Sequence, residues 1–158
     1  MTDNNNNAVN NASSSIGMLE THLHDVFSAM RVPGEDFVYS PNMELFNRLE
    51  AYCDFESSLD APTALLLLGE PGGGKSALLS NWLQRRQKNL SRQRGGETEF
   101  IFWHAVGCSR QSINVYSLMR RLMTDLKARF ELLREVPVAH DRLAWDLPRF
   151  LGSLSKYI

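Results

Sequence analysis

The chain has 158 residues, 43% hydrophobic and 22% charged, with a formal net charge of −1. That is room for one domain of ordinary globular composition, with no global field drawing it to nucleic acid or to anionic membrane. The longest purely apolar run, Ala64 to Leu68, is far shorter than the roughly 20 residues of a membrane-spanning helix, which excludes insertion by this route. The first residues carry no basic and apolar signal segment, and Cys53 and Cys108 lie far apart with no metal spacing. Both cysteines are therefore expected as reduced thiols in a cytoplasmic protein.

Residues 1–15, rich in Asn, Ser and Ala, read as a disordered tail because they offer almost nothing to bury. Residues 16–36 read as a helix and turn. Ile16, Leu19, Leu23, Val26, Phe27 and Met30 recur at helical spacing, Ser15 is the expected N-cap, and Pro33-Gly34-Glu35-Asp36 ends the segment. Residues 37–158 form the main domain. Ser40-Pro41 reads as N-cap and first residue of a second helix, with Leu45, Leu49 and Tyr52 on one stripe and Phe46 and Cys53 beside it. Asp60-Ala61-Pro62 is a turn. Ala64–Leu68 reads as a buried strand, and a helix runs from Lys75 to about Arg86. Residues 85–96 read as the end of that helix and a solvated basic loop. Phe100–Val106, aromatic and β-branched, reads as a second strand. Val115, Leu118, Met119, Leu122, Leu126, Phe130 and Leu133 mark a long amphipathic helix broken by Pro137. A last helix, started by Pro148, carries the apolar pattern to Ile158. Strand, glycine loop, helix, strand, helix predicts an α/β fold of the P-loop NTPase type, a parallel sheet with flanking helices. No internal repeat is visible.

The glycine loop carries the chemistry. Gly69-Glu70-Pro71-Gly72-Gly73-Gly74-Lys75-Ser76 matches the phosphate-binding pattern, with an apolar run before it and a helix after it. Residues without a bulky Cβ let the backbone fold tightly enough to aim several N–H groups at one phosphate. The helix beginning at Lys75 and Ser76-Ala77 turns its positive end toward the same anion. Lys75 is expected on the β- and γ-phosphates, and the Ser76 hydroxyl on Mg²⁺. Hydrolysis also needs a strand ending in an acid that holds the metal and positions water. No apolar run here ends that way: Phe100–Val106 runs into Gly107-Cys108-Ser109, and Leu143-Ala144-Trp145-Asp146 runs into Pro148. The chain is accordingly expected to be the first half of such a domain, inactive and unstable alone.

Leu66–Leu83 resembles the P-loop region of the NACHT-related STAND NTPases, with its closest likeness to the nephrocystin-3 type. Phe102–Ser109 is similar to the strand that follows in that group, Tyr116–Leu122 to the helix after it, and Phe46–Tyr52 to the short helix before the loop. The resemblance covers roughly residues 37–158. It implies a signal-transducing switch that binds ATP, or less often GTP, with Mg²⁺, and hydrolyses it slowly. It also implies protein partners engaged through C-terminal repeats that are not in this sequence. The segment before the second helix approaches the adenine in that group, which implies base contacts from Val38 and Tyr39; ordinary packing beneath a turn is the alternative.

The remaining features read blandly. His104 reads as a core residue within an apolar run. His22 and His24 face different sides of their helix and make a poor metal pair. Arg85, Arg86, Lys88, Arg92 and Arg94 have no interleaved aromatics and suggest solvated loop rather than nucleic-acid binding. Arg120 and Arg121 are assigned to the polar face of the long helix. Two functions stay open: the nucleotide-binding half of an NTPase switch, or a nucleotide-binding scaffold or protein-interaction module without hydrolysis.

Overall fold

The computed structural model of the protein describes residues 17–34, 38–54, 64–92 and 99–156. Its regular elements are helical: α1 (17–29), α2 (Met43–Cys53), α3 (Lys75–Arg92), α4 (Val115–Arg129) and α5 (His140–Gly152), closed by a 3₁₀ turn at Ser153–Lys156. The chain divides into two compact units. Ser28–Glu99 forms a glycine-loop unit, and the chain up to Phe27 joins Phe100–Ile158 in a second, terminal unit.

In the glycine-loop unit the Asn42 side chain caps α2 by accepting from Leu45 N–H at 3.1 Å. Helix α2 therefore starts two residues later than the expected Ser40-Pro41, because the side-chain oxygen that can reach the free N–H groups belongs to Asn42. Phe46 and Leu49 of α2 and Leu78 of α3 form a small apolar cluster, with Tyr39, Leu45, Leu67 and Trp82 against it. A polar anchor supplements it. The Arg86 guanidinium of α3 is bound by Glu50 at the end of α2, by Asp54 at 2.9 Å and by Glu99 at 2.8 Å. Burial opposes its charge, but the hydrogen bonds it donates to Glu99, Asp54 and Glu50 outweigh that and hold it firmly protonated. Helix α3 runs on to Arg92, past the expected end near Arg86, and the rest of the expected helix end and basic loop, 93–96, lies outside the described residues.

In the terminal unit Asn114 caps α4 through Tyr116 N–H at 2.8 Å. Met123, Leu126, Leu132, Leu143, Phe150 and Leu154 make the core. Helix α4 ends at Arg129, before Pro137, because Glu131 turns to φ 49° and Leu132 N–H returns to the Lys127 carbonyl at 3.1 Å. Pro148 lies inside α5, which starts eight residues earlier at His140, rather than at its first position. The helix tolerates it although it removes one internal N–H. Leu143 and Phe150, one on either side of Pro148, are fully buried.

The expected α/β parallel sheet is corrected: among the described residues there is no strand, and every regular element is a helix. Ala64–Leu68 is non-helical without a ladder partner, and Leu66 and Leu68 are 77% and 78% exposed where a sheet would cover both faces. The residues 100–105 are likewise without strand pairing. Apolar composition marks a segment as able to pair, but a strand exists only when a second backbone supplies the ladder. The tail at residues 1–15, the Ser15 cap and the Asp60-Ala61-Pro62 turn lie outside the described residues. No helix among the described residues is long and apolar enough to cross a membrane.

Two stability measurements check this account by urea unfolding. Arg86→Ala should destabilise the protein by about 3 kcal/mol, since it strands partly buried carboxylates that have lost their cation. Glu131→Gly should stabilise it by about 0.5–1 kcal/mol, since glycine carries no Cβ penalty at a positive φ and returns part of that gain as chain entropy.

Candidate functional site

The glycine loop is built as its residue types require. Gly72 and Gly74 adopt φ 80° and 81°, which side chains rarely do. At Gly73 a Cβ would meet the Glu70 carbonyl oxygen at 3.0 Å, while the Gly73 N–H donates to that same oxygen at 3.0 Å. The first helical bond of α3 runs from Leu78 N–H to Gly74 O at 2.8 Å. The N–H groups before it, at the helix start, have no intrahelical acceptor by geometry and face outward. Lys75 folds back over the loop, its Nζ donating to the Gly69 carbonyl at 2.7 Å and to the Glu70 carbonyl at 2.8 Å.

A cavity of about 270 Å³ opens at this loop, lined by Gly72, Gly73, Gly74, Lys75, Ser76, Ala77 and Arg31. The structure therefore gathers most of the sequence-predicted phosphate residues on one wall; Gly69, Glu70 and Pro71 form the turn behind it. Arg31 was not foreseen. It follows α1 in sequence, and its carbonyl is held by Asn81 Nδ2 at 2.6 Å, with Asn81 also donating to Ala77 O at 2.7 Å. Only the proximity of a basic residue to the Pro33-Gly34 turn hinted at it. Val38 is 93% exposed, and Tyr39 stacks on Phe46 at 6.4 Å, its hydroxyl pKa raised by burial; neither lines the cavity.

A second constellation in the terminal unit went unread. Helix α1 does not bury its apolar stripe: Leu19 and Val26 are exposed, while Glu20 is buried and His24 fully so. His24 Nδ1 accepts from Ala105 N–H at 3.1 Å, which leaves the proton on Nε2, 3.5 Å from Glu20 Oε1. Cys108 Sγ lies 3.2 Å from the same Nδ1, and Ser109 Oγ donates to Glu20 Oε1 at 2.6 Å. Arg121 of α4 is buried, not on a polar face, and donates to the Trp103 carbonyl. His104 gives Nε2–H to the Ser112 carbonyl at 2.8 Å, and its buried Nδ1 has no partner. Glu20, His24 and Cys108 offer three metal-type donors within 4.8 Å of one another. A dication fits them poorly, because the Nδ1 lone pair already serves two donors, Nε2 carries a proton, and the charge of Arg121 acts on His24.

Neither a protein-family model nor a solved structure matches the chain. The chain is similar to a TPR repeat-containing protein of Dictyostelium discoideum, 30% identical over 80 residues, a stretch covering 51% of this chain and 4% of that protein. Together with the absence of strands among the described residues, this overturns the resemblance to the NACHT-related STAND NTPases and the signalling-switch function drawn from it. A short run of residues around a glycine loop fixes a local turn, and it does not specify the sheet on which that family's mechanism depends.

Burial, then the charges of Arg121 and His104, lower the His24 pKa from 6.5 to about 4, against the opposing pull of Glu20. A folded-state value below the unfolded one adds stability that is complete above pH 6.5 and is lost as pH falls toward 4. Urea unfolding should show a loss on the order of 3 kcal/mol across that interval, and His24→Asn should flatten it.

Proposed function

We propose that the chain is a helical interaction module that holds the phosphates of a nucleoside triphosphate and does not hydrolyse it. The observation that carries this is the cavity at the start of α3, where glycine backbone, a helix N-terminus, Lys75 and Arg31 converge. Oriented backbone N–H groups and two cations suit a polyphosphate of several negative charges. ATP is the ligand proposed, with GTP as the second candidate. Ser76, exposed on the cavity wall, is the protein oxygen available to a phosphate-bound Mg²⁺, which would supply charge neutralisation. The lining residues include no carboxylate or imidazole that could activate water.

Protein partners are proposed on separate grounds. The relative in Dictyostelium is described by its TPR repeats, and Leu65, Leu66 and Leu68 form an exposed apolar run beside the loop. An extended, apolar and open backbone is suited to pairing with a partner's chain.

Calorimetry with Mg-ATP tests the ligand. Binding should be measurable for the wild-type chain and weaker by about 2–4 kcal/mol in Lys75→Ala. Equal affinity for the two proteins would remove the proposal. Phosphate release that disappears in Lys75→Ala would instead show turnover.

A further inference from the structure

The terminal unit holds a reactive-thiol geometry that the phosphate site does not use. Cys108 sits in a turn fixed by two serines. Ser112 Oγ accepts from Gly107 N–H at 2.9 Å and from Ser109 N–H at 3.1 Å, and Ser109 Oγ accepts from Ser112 N–H at 2.9 Å. That frame holds Sγ 3.2 Å from His24 Nδ1, whose tautomer is set by the Ala105 N–H. Glu20 in turn fixes the ring through Nε2–H. Nucleophile, base and orienting carboxylate thus stand in series. A buried cation lies in the same unit. Arg121 is 7% exposed, and its Nε–H has no hydrogen-bond partner. A half-buried thiol against a proton acceptor is an environment in which cysteines react.

We propose that Cys108 is a nucleophilic thiol that reacts with small hydroperoxides, with His24 as its proton carrier and Glu20 as the positioning residue. The backbone N–H groups of Gly107, Ser109 and Ser112 are already bound to serine oxygens, so the turn offers them to no acyl oxyanion. Displacement at a peroxide oxygen requires no such donor. Sγ forms a bond to the distal oxygen as the O–O bond breaks, and cysteine is oxidised to a sulfenic acid while the peroxide is reduced to an alcohol or water. The thiol proton passes to His24 Nδ1 as that nitrogen gives up its bond from the Ala105 N–H, and then goes to the leaving oxygen, after which the Ala105 bond re-forms. Burial keeps His24 a weak base, which favours passing the proton on.

Cys53 is the internal control. It is the more exposed thiol, but burial of its sulfur and the charges of Glu99, Glu50 and Asp54 push its pKa up against the pull of Arg86. The full chain is treated with hydrogen peroxide at neutral pH, sulfenic acid is trapped with a dimedone-type probe, and each cysteine is quantified by mass spectrometry. Cys108 should be labelled at least tenfold faster than Cys53. Glu20→Gln should slow Cys108 oxidation severalfold with less change in its alkylation by iodoacetamide, whose iodide leaves without a proton. Equal slowing with both reagents would mark Glu20 as merely structural and overturn its role. His24→Asn should abolish the advantage of Cys108; if that variant unfolds, the comparison of the two native thiols and Glu20→Gln still decide. Equal or faster labelling of Cys53 overturns the proposal. So does zinc that co-purifies in a one-to-one ratio and protects Cys108, which would assign a metal centre instead.

Discussion

One guanidinium holds the glycine-loop unit together. Its apolar cluster is small, with only Phe46, Leu49 and Leu78 as its buried members, and such a core leaves the relative placement of α2 and α3 weakly specified. Arg86 supplies the missing definition. Its planar fork takes carboxylates from three directions, two near the end of α2 and one from Glu99. Fixing α3 against α2 also fixes the first turn of α3, and with it the wall of the cavity at the glycine loop. The loop's geometry is local, but its place in the unit depends on a contact eleven residues farther along the helix.

The terminal unit uses the same kind of substitution for missing backbone pairing. The residues 100–105 have no ladder, yet two of their backbone groups find side-chain partners. Arg121 donates to the Trp103 carbonyl, and His24 accepts from the Ala105 N–H. Side chains from α1 and α4 thus do for this segment what a neighbouring strand does in a sheet. This accounts for a buried histidine and a buried arginine in a chain whose helices looked simply amphipathic.

That burial explains what the sequence could reveal. The glycine loop was legible because φ near 80° and the close approach at Gly73 demand glycine, so residue type and conformation coincide. The helices around Leu49, Leu126 and Phe150 were legible because their buried residues are apolar and periodic. Helix α1 was legible as a helix but not in orientation: its buried positions are Glu20 and His24, and periodicity of apolar residues cannot mark a polar face as internal. The sheet was misread for a related reason. Ala64–Leu68 has strand composition, but composition reports a preference of the segment, while pairing is a property of two segments. Likewise, Pro148 was placed at a helix start, its most favourable position, although packing of Leu143 and Phe150 carries the helix through it. The Glu20, His24 and Cys108 cluster joins residues more than 80 positions apart, and no local pattern announces it.

The folded-back Lys75 has a consequence for which anions the loop can retain. Its ammonium rests on two carbonyl oxygens, which ties the lysine at the helix start to the turn before it. The same arrangement sets a threshold. A guest must draw the ammonium away from both oxygens, or bind beside it and leave its charge partly engaged. A singly charged oxyanion gains too little from one contact to do so, whereas a chain of linked phosphates can span the helix start and the ammonium together. Under the proposed phosphate binding, the lysine held on its own backbone would therefore select its ligand by length and charge.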